Sequence, residues 1–397
     1  MSRAAIPTAR YAARLEAARS RLGEGPSALL VGPGAEMRYL AGYDAPPLER
    51  LTLLVLTRDG PAVLVVPRLE LALAEAAPAV VAGLVRVAGW GETEDGMTPV
   101  LGALGEGLGA GLGRLTGALA PAADGPDVLV SDRLWATFML RLHVALPAAR
   151  LGLASVLLRD LRMRKDPDEV ALLRAAARAA DRVVEAICAG RLVGRTEADV
   201  AREVRARLVA EGHETADFAT VGSGPNSASP HHAASDRVIR PGEPIVLDIG
   251  GTLGGYASDV ARTMWVTGGD PANGPDPEFL RLFGAVEEAQ AAARAAVMPG
   301  VPAEAIDAKA RAIITAAGYG ERFIHRVGHG IGLEVHEEPY LVTGNAEPLD
   351  SGMAFSLEPG IYLEGRYGAR IEDIVVCTPD GADVLNGGGR ELRVVDG

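Results

Sequence analysis

Between residues 27 and 155, short apolar runs alternate with amphipathic stretches. SALLVG and DVLVSD read as strands, LTLLVLTRDGPAVLVVP as a hairpin, and residues 134–146 as a helix behind DVLVSD. Strands alternating with helices predict an α/β layer domain. Ahead of it, MSRAAIPTARYAARLEAARSRLG has the period of an amphipathic helix and lacks the continuous apolar run of a signal peptide. The pattern changes at LLRDLRMRKDPDEVALLRAAARAADRVVEAI, where Asp166-Pro167 followed by Asp168 and Glu169 marks a helix start. A second helix, about 197–211, follows Thr196, and after it come the strand-like TADFATVGSG and the loop PNSASPHHAASD. Two further helices, roughly 277–297 and 302–316, separate two glycine-turned hairpins. Helix pair, strands, helix pair, strands is the expected layout of a second domain, 156–397, behind a first of 1–155.

The hairpins carry the candidate chemistry. In IVLDIGGTLGGYASDVARTMWV an apolar run ends at Asp248, and an alternating run through Asp259 follows the turn. With Leu253-Gly254 at the tip, positions 248 and 259 face each other at roughly 5 Å between Cβ atoms, subject to a slip in register. In SLEPGIYLEGRYGARIEDIVV a turn centred on Gly365 sets Glu358 opposite Glu372. Like charges facing across strands destabilise the pair, and buried carboxylates must share a proton or be neutralised. Between the hairpins, RVGHGIGLEVHEEP offers His329 as a nitrogen ligand framed by Gly328, Gly330 and Gly332. Four carboxylates and one imidazole carry a formal charge of about −4, which two divalent ions neutralise. A dinuclear metal site is therefore expected.

Composition narrows the class. With 397 residues, two domains are expected, and 48% hydrophobic residues suffice for burial. No apolar run reaches the length of a membrane span, so no membrane association and a cytoplasmic location are expected. A net charge of −13 argues against nucleic acid as a partner. Cys188 and Cys377 form neither a disulfide framework nor a CxxC site and read as buried thiols. LGALGEGLGAGLGRL contains no dinucleotide-binding fingerprint and reads as a flexible surface helix or loop. Neither lysine, Lys165 or Lys309, follows a glycine, which excludes a P-loop, and VGSGP fails as a nucleophile elbow.

The ordered set LDIGG, SDVART, HRVGHGIGLEVHEEP, SLEPGIY and RIEDIVV resembles the M24 metallopeptidases of the pita-bread fold, in the branch of Xaa-Pro dipeptidases (prolidases) and aminopeptidase P. The likeness is strong over about residues 155–390; the part before it is similar to the creatinase/prolidase N-terminal domain. It implies an α/β N-terminal domain followed by an α+β pita-bread catalytic domain, and hydrolysis of the Xaa-Pro bond by metal-activated water. It further implies that Asp248 chelates one metal, Asp259 and Glu372 bridge, and His329 and Glu358 complete the second, with Glu358 as general base. His231, after Ser229-Pro230, matches the histidine that contacts substrate or intermediate; its neighbour His232 receives no role. His336 matches the histidine that stabilises the tetrahedral intermediate, or else braces a ligand carboxylate. Arg370 shares a strand face with Glu372 and either bonds a substrate carboxylate or locks a ligand. His325, His143 and His213 read as structural. Four oxygen ligands and one nitrogen suit Mn²⁺ first, with Co²⁺ or Zn²⁺ as alternatives. The resemblance also implies a small peptide substrate and a homodimer in which the N-terminal domain edges the other chain's active site. A hydrolase or lyase of small non-peptide metabolites, and a peptide-binding pseudoenzyme, are the competing expectations.

Overall fold

Strands whose residues are apolar throughout need cover on both faces, and the first half of the chain supplies it. The computed structural model describes residues 6–22, 27–116 and 127–396 and divides the chain into Ile6–Arg162 and Met163–Gly397. In the first unit six strands form one sheet, in the order Val85–Trp90, Ala62–Pro67, Leu53–Thr57, Ala28–Val31, Val128–Val130, Leu151–Leu153. The second to fourth of these pair antiparallel as a meander, and the outer pairings are parallel. Ala28–Val31, Leu53–Thr57 and Ala62–Pro67 are buried at every position. This is the α/β layer read from the alternating pattern, with helices at Thr8–Leu22 and Ala136–Ala145 where the sequence places them. The helix Ser155–Met163 runs up to the division, its last residue opening the second unit, so the first unit extends past the sequence boundary at 155.

The glycine-rich run after Met97 is helical and lies at the surface, one of the two forms read from the sequence, with most of its positions exposed or half-buried. It forms the helices Met97–Leu108 and Gly111–Thr116, with Val100, Ala103 and Leu104 buried against the sheet. Gly107 allows the helix to touch the hairpin: a Cβ there would lie 1.9 Å from Thr57 Oγ1. Gly107 serves helix–sheet packing, which composition alone hides.

The second unit opens with the capped helix expected at Asp166. The Asp166 carboxylate accepts from the backbone N–H of Asp168 and Glu169, and Glu169 returns a bond to the Asp166 N–H, closing a capping box around Pro167. Thr196 and Asp199 build the same device at the start of Glu197–Ala210. Pro167–Cys188 and Glu197–Ala210 pack on a four-stranded sheet ordered Arg393–Val395, Tyr256–Val266, Glu243–Leu253, Thr215–Ser223. Pro277–Ala295 and Ala303–Ala316 share a second core with a five-stranded sheet ordered Glu337–Leu341, Gly328–Gly330, Ala354–Leu357, Asp373–Thr378, Gly381–Val384. Gly360–Leu363 and Tyr367–Arg370 form a separate ribbon. The two sheets meet where Ala261 bridges Glu372.

Candidate metal centre

The first hairpin is a continuous ladder between Glu243–Leu253 and Tyr256–Val266. Its tip is Gly254-Gly255, both at positive φ (59° and 86°), and not Leu253-Gly254. A two-residue hairpin turn of this hand needs positive φ at both central positions, which two glycines accept and leucine does not. The register therefore shifts by two: Asp248 faces Ala261, and Asp259 faces Gly250. A shift of two preserves the face, so the acids remain on one side as diagonal neighbours.

The second hairpin keeps the expected register and splits. Gly360 pairs with Arg370 in the ribbon and Leu357 with Asp373 in the sheet, one register continuing across the gap. At the gap lie Glu358 and Glu372, and each turns its backbone to another strand. The Glu358 N–H donates to Val327 O at 2.8 Å and the Glu372 N–H to Ala261 O at 3.0 Å. Parting strands bring both carboxylates to the seam between the sheets.

There they meet His329. Ligating atoms of Asp259, His329 and Glu372 all lie within 4.8 Å of one another, and all three residues are buried. His329 Nδ1 donates to the carbonyl of Gly330 at 3.1 Å, which leaves Nε2 to face Glu358 Oε1 at 3.2 Å and Asp259 Oδ2 at 3.7 Å. A backbone carbonyl fixing one ring nitrogen so that the other can ligate is the usual arrangement of a metal-binding histidine. The glycine frame has a steric reason: a Cβ on Gly328 would sit 1.9 Å from Ser356 O, and one on Gly330 2.1 Å from Glu338 O.

The protein compensates only part of the charge in this seam. Asp248 Oδ1 and Glu372 Oε1 are buried without a hydrogen-bond partner among the described residues. Burial, then the neighbouring carboxylates, raises Asp259 and Glu372 well above the ordinary range. Asp248 is raised by burial, although Arg370 opposes this. For Glu358, burial acts upward but its hydrogen bond to His329 and the Arg370 charge prevail, bringing it to about 2. Orphaned acceptors, a pre-oriented imidazole and acids pushed toward protonation are what a cation would relieve. The residues present fit a metal.

Arg370 is only 4% exposed, and its guanidinium pairs with Asp248. The geometry is that of a locked ligand. Its Nε–H donates to Tyr362 Oη at 2.9 Å, and that hydroxyl lies 2.9 Å from His325 Nε2. Since His325 Nδ1 donates to Arg326 O, the hydroxyl proton points to Nε2. Tyr362 escaped the sequence reading, and His325 was read as merely structural. Its Nδ1 stands 4.0 Å from Glu358 Oε2. The signal was its spacing, four residues before His329, but spacing in an irregular segment predicts no contact.

His336 packs edge-on against His329, with ring centroids 4.1 Å apart. Loss of water on that side and the adjacent imidazole lower its pKa to about 4, while the rest of the ring stays exposed. His231 is exposed on its loop, within electrostatic reach of Asp248 and His336. His213 bonds Ser258 and Leu208 O inside the first half, as a structural histidine does.

Residues 171–379 match metallopeptidase family M24 and residues 14–164 the creatinase/prolidase N-terminal domain. The chain belongs to family M24: it is an enzyme, a metallopeptidase hydrolase with a creatinase-type N-terminal domain and a pita-bread C-terminal domain. It is 45% identical to the probable dipeptidase PepE of Mycobacterium tuberculosis over 387 residues, 97% of this chain and 96% of that protein. Among solved structures it is similar to dipeptidase PepE of Mycobacterium ulcerans (TM-score 0.86, 45% identity, 98% of this chain and 99% of that one). It is also similar to a prolidase of Thermococcus sibiricus (TM-score 0.85, 34% identity, 97% and 99%).

Proposed function

We propose that the protein hydrolyses the peptide bond preceding proline in small peptides, as an Xaa-Pro dipeptidase or aminopeptidase P. The observation that carries this reading is the buried Asp259, His329 and Glu372 cluster, with ligating atoms within 4.8 Å of one another. Prolidase and dipeptidase relatives that span nearly the whole chain support the substrate class. In this reading Asp248, Asp259, His329, Glu358 and Glu372 would hold the metal, with Asp259, His329 and Glu372 at its centre.

Two divalent ions, Mn²⁺ in first place and Co²⁺ or Zn²⁺ otherwise, supply Lewis acidity and make water a nucleophile near neutral pH. The chain does the rest. Glu358, a carboxylate that Arg370 helps to keep ionised, accepts the proton of the attacking water and delivers it to the leaving nitrogen. That nitrogen, a proline ring atom, has no proton of its own. His336, neutral above about pH 4, offers an imidazole to the tetrahedral carbon's oxygen, and His231 meets the substrate from the opposite half of the fold. Arg370, paired with Asp248, holds that carboxylate in place.

A homodimer and a cytoplasmic location belong to the same proposal. No helix among the described residues is long and apolar enough to cross a membrane. The test is an assay of purified, Mn²⁺-loaded protein against Xaa-Pro dipeptides, longer Xaa-Pro peptides and a panel without proline. Cleavage confined to Xaa-Pro substrates supports the reading, and the length series separates dipeptidase from aminopeptidase P. Turnover of the proline-free panel with none of Xaa-Pro would overturn it. Sedimentation as a monomer at micromolar concentration would remove the dimer.

A further inference from the structure

Glu197 begins the helix Glu197–Ala210 and reads in the sequence as an ordinary first-turn acid. Its side chain is completely buried. Every side-chain hydrogen bond that it receives comes from the segment 223–235, which carries His231. Oε1 accepts from the Ser223 N–H (2.8 Å), the Ser223 hydroxyl (2.7 Å) and the Asn226 amide (3.0 Å). Oε2 accepts from His232 Nε2 (2.7 Å), the Ser235 N–H (3.1 Å) and the Ser235 hydroxyl (2.6 Å), and Asn226 also reaches it at 3.1 Å. One carboxylate ties down both ends of the segment and the residue beside His231.

His231 makes no side-chain hydrogen bond among the described residues, so its direction is set by the backbone that bears it. Upstream of His231 the segment is also held at Ser227, whose hydroxyl donates to Gly224 O (2.6 Å) and accepts from the Gly368 N–H (2.9 Å), and at its end Ser235 O accepts from the Ala198 N–H (2.9 Å). Nearer His231 the backbone bonds among the described residues are Ser229 N to Asn226 O (3.1 Å) and His232 N to Ser229 O (3.2 Å), so the stretch that bears His231 leans on the Glu197 contacts at His232 and Ser235. We propose that Glu197 is the positioning residue of His231, acting through His232, Ser223, Asn226 and Ser235. The proposal rests on the reading that His231 meets the substrate.

The chemistry requires a carboxylate in particular. Hydroxyls and the Asn226 amide can turn, but the Ser223 and Ser235 N–H groups cannot, and they address different oxygens of Glu197. Glutamine presents an NH₂ to one of them in either orientation. A buried donor facing a donor is a lost bond plus an unsatisfied group, so Glu197→Gln loosens the segment while conserving shape.

The test is a double-mutant cycle on the full-length, Mn²⁺-loaded protein with an Xaa-Pro dipeptide, comprising Glu197→Gln, His231→Ala and the pair, with metal content measured in each. Glu197→Gln is expected to lower kcat/KM by about ten- to a hundredfold, the range of a misplaced group near the reacting centre. Its metal content should stay that of the parent. In the His231→Ala background the same change should cost less than about threefold, because the group that it positions is already gone. Multiplicative losses, or an unchanged kcat/KM for Glu197→Gln, overturn the proposal. If His231→Ala alone leaves kcat/KM unchanged, the reading of His231 fails instead, a separate outcome. Ser235→Ala and His232→Phe, each removing one side-chain donor, repeat the cycle should Glu197→Gln not fold.

Discussion

The two acidic hairpins solve one problem by opposite means. In the first, a two-residue Gly254-Gly255 turn drives a ladder unbroken from Leu253–Tyr256 to Glu243–Val266, and its acids sit side by side on one continuous face. In the second, a longer turn through Gly365 starts a ribbon that gives way at Glu358 and Glu372, where each strand takes a new partner. The continuous hairpin contributes a rigid wall and the split one a seam. Alternation along an intact strand can present acids only to one surface, whereas parting strands let Glu358 and Glu372 reach a centre lying between two sheets. The difference teaches that a break in a ladder can be the functional element, and the ladder its scaffold.

If the seam is the chemical centre, the largest losses come from it. Asp259→Ala and Glu372→Ala should abolish peptide hydrolysis and lower bound metal below two ions per chain, measured by elemental analysis. Full activity with at most one ion would refute the dinuclear reading. Glu358→Gln should reduce turnover about a hundredfold or more, the effect of removing a general base together with a ligand's charge. Unchanged turnover there would return the protein to the pseudoenzyme alternative.

A second test sets wall against seam through the Arg370–Asp248 pair, which joins the ribbon to the first hairpin. Removing one partner of a buried ion pair typically costs about 3–5 kcal/mol. Arg370→Met should show such a loss in urea unfolding of the chelator-treated protein. A loss below about 1 kcal/mol would mean that Asp248 is held by other groups.

The third test is pH. Asp248, Asp259 and Glu372 have folded-state values raised by burial above an unfolded value of about 4. Each therefore stabilises the metal-free fold while protonated, and loses that contribution as pH rises from about 4 through its folded value. Glu358, held at about 2, acts in the opposite sense: its contribution is present above about 4 and lost as pH falls toward 2. Above about pH 4 the Glu358 contribution is constant, so Tm of the chelated protein should fall as pH rises beyond that value. Saturating Mn²⁺ should remove that fall, and a flat profile without metal would contradict it.

The smallest effect belongs to the turns. Gly254→Ala forces a side chain to positive φ inside a two-residue turn and should cost about 1–2 kcal/mol. Gly365 is also at positive φ (73°) but sits in a three-residue turn with open space around it, so Gly365→Ala should cost about 1 kcal/mol, the left-handed strain alone. Equal costs would mean that the two hairpins do not differ in how tightly their turns set register.

Local chemistry was readable from the chain, and distant partners were not. Caps at Asp166 and Thr196, both hairpins and the face shared by Asp248 and Asp259 follow from residue type and period over a few positions. The first register was missed because it depends on the φ of Gly255, which the choice of Leu253-Gly254 as tip ignored. Tyr362 and His325 were missed because their bond crosses 37 residues, in segments without a period. Glu197 was invisible for the opposite reason: an acid in a first helical turn has an ordinary local explanation, and burial alone reveals its other task. Gly107 shows the same limit, since its use is measured against Thr57, 50 residues away.

The two orphaned oxygens, Asp248 Oδ1 and Glu372 Oε1, have a consequence for the lifetime of the molecule in a cell. Ions that bind only the folded chain deepen its well, while an empty chain retains mutually repelling acids at its centre and opens more often. Proteases that sample open states would then clear unloaded copies first. The catalytic seam doubles as a census of metal supply, and limited proteolysis with and without Mn²⁺ would read that census directly.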